Sequence, residues 1–285
     1  MNFVDPHLHF FALQQGQYGW LKSSNPPFWP DKPAIAKETT EATLLANTNS
    51  VPAAYVHIEA GFDNKRPWRE IYYLQQTSRL PFRAIATLDL LGNNALSHIE
   101  ALAHMPAVVG VRHILDEDAA TILQHPKARH TLKHLASVGL MFEAQLSLAD
   151  DVGVKALLNV LEQTPLLKVT LNHGGFPPLS CNSRKWKRNL SQFSPLNNVA
   201  VKLSGWEMQD RQWVWSQVRE VVETAMTAIT HDRIIMASNF PLCQWRMPYG
   251  SLWQGYDALL ASVTPEHKPA LMQQNAMKWY AIKGK

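Results

Sequence analysis

Eight short apolar runs recur along the chain, each bounded by turn residues and separated from the next by a stretch with helical spacing. That alternation is the pattern of β and α units around a parallel sheet. The runs are "FVDPHLHF", "AAYVHIEA", "FRAIATLDL", "VVGVRHIL", "GLMFEAQL", "KVTLNHGG", "NVAVKLSG" and "RIIMASNF". Between them lie segments such as Asp150 to Gln163, where Val152, Val154, Leu157, Leu158 and Leu161 fall at helix-like intervals. Eight such units predict a closed (β/α)8 barrel, the TIM-barrel architecture of the α/β class. At 285 residues and 46% hydrophobic, the chain is long enough to build that barrel as a single domain over residues 1–285. A doubly wound open sheet is the competing arrangement, but no glycine-rich dinucleotide fingerprint follows the first run.

Charge and cysteine usage narrow the function classes. The net charge of +4 is modest, and the most basic cluster, "SRKWKRN" at Ser183 to Asn189, is short and isolated, which reads as a solvated loop. A nucleic-acid binder is expected to carry a longer basic stripe. Cys181 and Cys243 lack metal-type spacing, and no secretory signal precedes them, so reduced thiols in the cytoplasm are expected. No apolar stretch approaches the roughly 18 residues of a membrane span. The expected partner is a small-molecule substrate, with no nucleic acid and no membrane; assembly into a homo-oligomer stays open.

Two connections are longer than a barrel needs: residues 14–32 after the first run, rich in aromatics and prolines, and residues 174–198 after the sixth. Both leave from strand C-termini, where barrel enzymes build their sites, so they are expected as lids or substrate walls.

Polar residues cluster at the same strand ends. His7 and His9 close the first run, His57 and Glu59 the second, Asp89 the third, and Arg112 with His113 the fourth. Glu143 and Gln145 belong to the fifth, His173 to the sixth, Lys202 and Ser204 to the seventh, and Asn239 to the eighth. A strand repeats every two residues, so Asp5, His7 and His9 are expected on one face. Any single one of these groups reads as an ordinary buried, hydrogen-bonded side chain. Their convergence at one mouth is the pattern of a reaction site. His7, His9 and His173 are the candidate metal ligands, since three neutral imidazoles suit zinc or manganese and leave a position open for water or a substrate oxygen. The ion is expected to be zinc ahead of manganese, and the reading includes partial occupancy or none.

Read in order, "DPHLHF", "YGWL", "VVGVRHIL", "VTLNHGG", "NVAVKLSG", "RIIMASNFP" and "NAMKWY" give the chain a resemblance to the amidohydrolase superfamily. It most resembles the branch of 2-pyrone-4,6-dicarboxylate lactonase and L-fuconolactonase, from Phe3 to Tyr280. The resemblance implies a metal-dependent or metal-independent hydrolase in which His7, His9 and His173 match the histidines that hold a metal or the substrate carbonyl. Arg112 would match the arginine on the substrate's oxygens. Where the branch reads Gly-Ser-Asp-Trp-Pro after strand eight, this chain reads "ASNFP", Ala237 to Pro241, so the aspartate that takes the proton from water is Asn239 here. An amide can orient water but cannot hold its proton. "HGGFP" also replaces the branch's His-Leu-Gly-Lys-Pro, which removes a positive charge near the mouth.

The catalytic candidates are therefore Asn239 and His173, with Glu143 and His113 as alternative bases; restoring aspartate at 239 is expected to raise the rate. The substrate-binding candidates are Arg112, Lys202, Gln145, His57 and Trp20. The function expected is opening of a small lactone, a sugar-acid or carboxylated cyclic ester. A metal-dependent non-oxidative decarboxylase and a non-catalytic small-molecule binding protein are the alternatives.

Overall fold

The computed structural model describes residues 1–46, 48–179 and 183–283, and Cys181 lies outside the described residues. Each of the eight runs contains a strand: β1 (Asp5–Leu8), β2 (Tyr55–Ile58), β3 (Phe82–Thr87), β4 (Val108–Ile114), β5 (Met141–Gln145), β6 (Val169–Leu171), β7 (Val199–Leu203) and β8 (Ile234–Met236). All neighbouring strands are parallel and lie in chain order. The ring closes where the Asn239 N–H donates to the His7 carbonyl at 2.8 Å and the His9 N–H to the Phe240 carbonyl at 2.7 Å. This is the expected (β/α)8 barrel.

Side-chain alternation sorts the strands into two environments. Val56, Ile58, Ile85, Met141, Ala200 and Ile235 pack together with Val4, and Ala276, Tyr280 and Ile282 from the chain's last segment seal that cluster. Tyr55, Val111, Phe142, Leu171, Val201 and Met236 pack instead into the large cluster shared with the helices. Both strand faces are thus apolar for most of their length, as a parallel barrel requires.

Strand β1 breaks the alternation. Asp5 stands opposite Tyr55 but Leu8 stands opposite His57, three steps on one strand against two on the other. Pro6, which has no N–H to give the ladder, lies inside this bulge. The expected common face of Asp5, His7 and His9 is therefore corrected. Asp5 accepts from Ser238 N–H at 3.1 Å and from Ser238 Oγ at 2.6 Å, and also meets Tyr249, whereas His7 and His9 pack against His173 and each other.

The basic cluster is also corrected, because Arg184–Ser191 is a helix. Trp186 and Leu190, one turn apart, bury on its inner side. The Trp186 indole donates to the Gly174 carbonyl at 2.7 Å, so the helix supports the turn next to His173. Its charges face Asp151 and Glu220.

Residues 14–32 fold over the end of β1. Phe11, Tyr18, Leu21, Trp20 and Trp29 join Phe62, Met208, Leu242 and Trp245 in a separate apolar cluster. Arg211 lies 3.9 Å over the Trp245 ring, and its Nε donates to Asp31 at 2.6 Å, tying this segment to the loop after β7. Among the described residues, no helix is long and apolar enough to cross a membrane.

A polar cluster interrupts the barrel interior. The Lys202 ammonium donates to both carboxylate oxygens of Glu143 at 2.7 Å each, both side chains being fully buried. The Tyr280 hydroxyl donates to the same carboxylate at 2.8 Å. A buried pair contributes little net stability, yet removing one partner leaves an uncompensated charge. Lys202→Met is therefore expected to cost about 3–5 kcal/mol in chemical denaturation, and Lys202→Met/Glu143→Gln clearly less. Equal losses for the single and the double variant would contradict this account.

Candidate functional site

The strand ends assemble a compact polar centre around three histidines. The His7 ring lies 5.1 Å from that of His9 and 4.7 Å from that of His173, measured between centroids. His173 ends β6 in the left-handed region, with φ 52°. Its Nδ1 lies 3.0 Å from Ser204 Oγ. Gly205 makes that approach feasible: a Cβ there would sit 2.3 Å from His173 Nδ1. Asn239, at the end of β8, is likewise left-handed with φ 61°. Two non-glycine residues held in this sparsely occupied region at one mouth mark a constrained site.

Hydrogen bonding assigns the imidazole protons. Lys202 has three N–H bonds; Glu143 takes two, and the third points at His7 Nδ1, 3.3 Å away. His7 Nδ1 is thus an acceptor, and its proton sits on Nε2, which is buried and has no hydrogen-bond partner among the described residues. His9 has the opposite arrangement, with its Nδ1 donating to the Ile58 carbonyl at 2.8 Å and Nε2 left as a lone pair. Burial, more than any neighbour, pushes the pKa of all three histidines down. The Lys202 ammonium adds to this at His7, and the Arg112 guanidinium at His9 and His173. All three rings are neutral at ordinary pH.

The remaining predicted residues divide by location. Arg112 reaches the centre but is engaged by Glu59, whose Oε1 accepts from Nε at 2.9 Å and Nη2 at 2.7 Å, while Gln145 Oε1 accepts from Nη1 at 3.2 Å. Lys202 and Glu143 lie beneath the histidines and use each other; neither is a free substrate ligand or a free base in this arrangement. Trp20 donates to the Ala60 carbonyl at 2.7 Å and packs on Phe11, which in turn faces His9. His57 and His113 are not brought to the centre. His57 lies between apolar inner neighbours Val56 and Ile58, so strand parity turns it outward, where its Nε2 meets Glu70 at 2.9 Å. His113 follows Arg112 and faces the other way, its Nδ1 near the Leu88 carbonyl at 3.1 Å.

One residue at this centre escapes the sequence reading. Glu207 sits on a short helix, Trp206–Gln209, just after β7, and is almost fully buried. Its Oε1 accepts from Asn239 Nδ2 at 2.6 Å. Burial raises its carboxyl to about pKa 7, against the lowering effect of that hydrogen bond. The only cue in the sequence is an acid set between Trp206 and Met208, an unusual place for a solvated carboxylate.

The histidine trio does not fit a divalent ion as arranged. Among the described residues, no group of three or more His, Cys, Asp or Glu side chains is positioned to hold a metal. His7 Nε2 carries a proton, so its outward atom is a donor and not a lone pair. Lys202 and Arg112 set positive charge beside the rings, which opposes a cation and favours an anionic oxygen.

The raised carboxyls have a consequence for stability. Glu207 titrates near 7 when folded against an ordinary 4.5, and Asp5, raised by burial, near 6 against 3.8. Each therefore contributes stability below its unfolded pKa that is lost as pH rises through the folded value. Glu207→Gln should remove its share, so the melting temperature of the variant relative to wild type should climb between about pH 5 and about pH 8. A difference that does not change with pH would show that Glu207 is ionised throughout.

The wider comparisons agree with this architecture. The family model described as amidohydrolase matches residues 4–282. A curated relative, the uncharacterized protein y4mH of Sinorhizobium fredii, is 26% identical over 296 residues, covering 98% of each chain. An amidohydrolase from Burkholderia multivorans with bound zinc superposes with a TM-score of 0.83 at 16% identity, covering 99% of this chain and 100% of that one. A Pseudomonas putida protein assigned as a 2-pyrone-4,6-dicarboxylic acid hydrolase superposes with a TM-score of 0.72 at 18% identity, covering 98% and 97%. With its family match running nearly end to end, the chain belongs to the amidohydrolase family.

Proposed function

We propose that the chain hydrolyses a small lactone, using His7 as the group that polarises the carbonyl. The observation that carries this reading is the proton-bearing Nε2 of His7 at the centre of the histidine trio, which has no partner among the described residues. A buried N–H without a partner is costly, and an incoming carbonyl oxygen would satisfy it. As the carbonyl becomes tetrahedral its oxygen gains negative charge, and the bond from Nε2 strengthens as the reaction proceeds. Lys202 reinforces this from the far side of the ring, because a cation donating to Nδ1 makes the Nε2 proton a better donor. Arg112, balanced by Glu59, supplies a second positive group for a substrate oxygen or carboxylate.

A lactone suits this set better than an amide. Its ring oxygen leaves as an alcohol and needs less assistance from an acid than an amine does. The fold relative assigned to 2-pyrone-4,6-dicarboxylic acid hydrolysis supports the same substrate class.

A pH-indicator screen of aldonolactones and carboxylated pyrones should find turnover. His7→Phe, which keeps a ring but removes the donor, should reduce kcat by about 10²- to 10³-fold, the usual effect of losing one oxyanion donor. Protein dialysed against chelator should retain its rate within about twofold, since the polarising proton of His7 survives metal removal. A rate abolished by chelation and restored by zinc or manganese would put the metal in the place assigned here to His7. Release of carbon dioxide from a carboxylated aromatic, without lactone opening, would favour the decarboxylase alternative.

A further inference from the structure

Hydrolysis needs a group to receive the water's proton, and the strand-eight position holds an amide. We propose that the Glu207–Asn239 pair is the proton-accepting unit of this site, with Glu207 carrying the charge that the family places on the strand-eight aspartate. This inference rests on the hydrolase reading above.

The geometry carries the assignment. Asn239 stands where the aspartate would stand, fixed by its left-handed backbone and by its N–H bond to the His7 carbonyl. Its Nδ2 is committed to Glu207 Oε1 at 2.6 Å, which places a carboxylate one hydrogen bond behind the missing one. The commitment leaves Oδ1 as the other end of the amide, able to accept a hydrogen bond from water. His113 points away from the centre, and Glu143 is spent on Lys202 and Tyr280. Among the described residues, Glu207 and Asp5 are the carboxylates at the strand-eight end without an ion pair, and of the two the one that meets Asn239 is Glu207. Arg211 meets its backbone carbonyl and gives its guanidinium to Asp31. The other titratable groups near it are Cys243 after β8, Tyr256 on the helix Tyr249–Val263 and, farther off, Asp5. The first two are held in their neutral forms by burial, and Asp5 is bonded to Ser238. A carboxyl raised by burial to about 7 matches the needs of a general base.

The step balances without any co-reactant. The water oxygen bonds to the lactone carbonyl carbon while its proton passes to Asn239 Oδ1 and an Nδ2 proton of Asn239 passes to the Glu207 carboxylate, leaving the side chain of Asn239 as its imidic-acid tautomer. The ring C–O bond then breaks as Glu207 returns its proton to Nδ2 and Oδ1 gives its proton to the departing ring oxygen. The product is a hydroxy acid and the carboxylate is regenerated.

Charge transposition tests the assignment. In wild type kcat/KM should rise with pH through about 7. Glu207→Gln should lower kcat by about 10²- to 10⁴-fold, the usual range for a general base, with KM changed less and the rising limb gone. Asn239→Asp should not restore the family's activity, contrary to the expectation from sequence, because two carboxylates in hydrogen-bond contact share one proton; its limb should move to higher pH. The double variant Asn239→Asp/Glu207→Gln keeps one carboxylate and one amide with their places exchanged. It should recover at least about tenfold over Glu207→Gln and bring the limb back down. A Glu207→Gln variant with the wild-type rate and pH limb, or a double variant no faster than Glu207→Gln, overturns the assignment and leaves the hydrolase reading intact. Wild type that opens no lactone overturns the hydrolase reading and this assignment with it. Should Glu207→Gln not fold, the limbs of wild type and Asn239→Asp decide: an upward displacement supports the pair, and coincident limbs overturn it.

Discussion

The centre of this molecule is organised by one ammonium group. Lys202, fully buried, has three N–H bonds, and they meet two carboxylate oxygens of Glu143 and one nitrogen of His7. The first two neutralise the charge and, through Tyr280, connect the barrel floor to the chain's last segment. The third fixes which nitrogen of His7 is protonated, and so determines that the outward atom is a donor. Structure and chemistry share this contact, because the bond that makes the buried lysine tolerable also sets the character of the atom facing the mouth.

The surroundings keep that character from being neutralised. Burial holds all three histidines uncharged, while the Lys202 ammonium and the Arg112 guanidinium, tied to Glu143 and Glu59, stand beside the rings. On the function proposed above, such a mouth would receive an oxygen that is becoming negative. The zinc in the Burkholderia relative shows that this fold can hold such an ion, at 16% identity.

Much of this was legible in the sequence, and the misses have physical causes. All eight strands were visible because parallel barrel strands are buried on both faces and read as unbroken apolar runs between turn residues. His7, His9, His173, Arg112 and Asn239 were visible as a group because each ends such a run. Parity was harder. His57 and His113 also end runs, but a one-residue offset sends them to the outer face, and short strands give no clear polar and apolar alternation from which to count. The turn of Asp5 came from a bulge at Pro6 that strict alternation cannot anticipate. "SRKWKRN" looked like a solvated loop because its charge hid the Trp186–Leu190 stripe. Glu207 was invisible for a different reason: its importance comes from a 2.6 Å contact with a residue 32 positions away.

That contact also bears on why position 239 is an amide. The buried charges elsewhere in the barrel cancel in pairs, Lys202 with Glu143 and Arg112 with Glu59, and Asp5 is eased by two bonds from Ser238. Among the described residues Glu207 has no such counter-ion, since the Arg211 guanidinium beside it is occupied by Asp31 and by the rings of Trp29 and Trp245. A second carboxylate at 2.6 Å would have to remain protonated or drive Glu207 away, because two like charges in that setting cannot both ionise. An amide avoids the conflict and offers its N–H to the existing charge. Asparagine at 239 is thus compatible with a buried glutamate on the neighbouring short helix where an aspartate is not, and the departure from the family pattern follows from electrostatics.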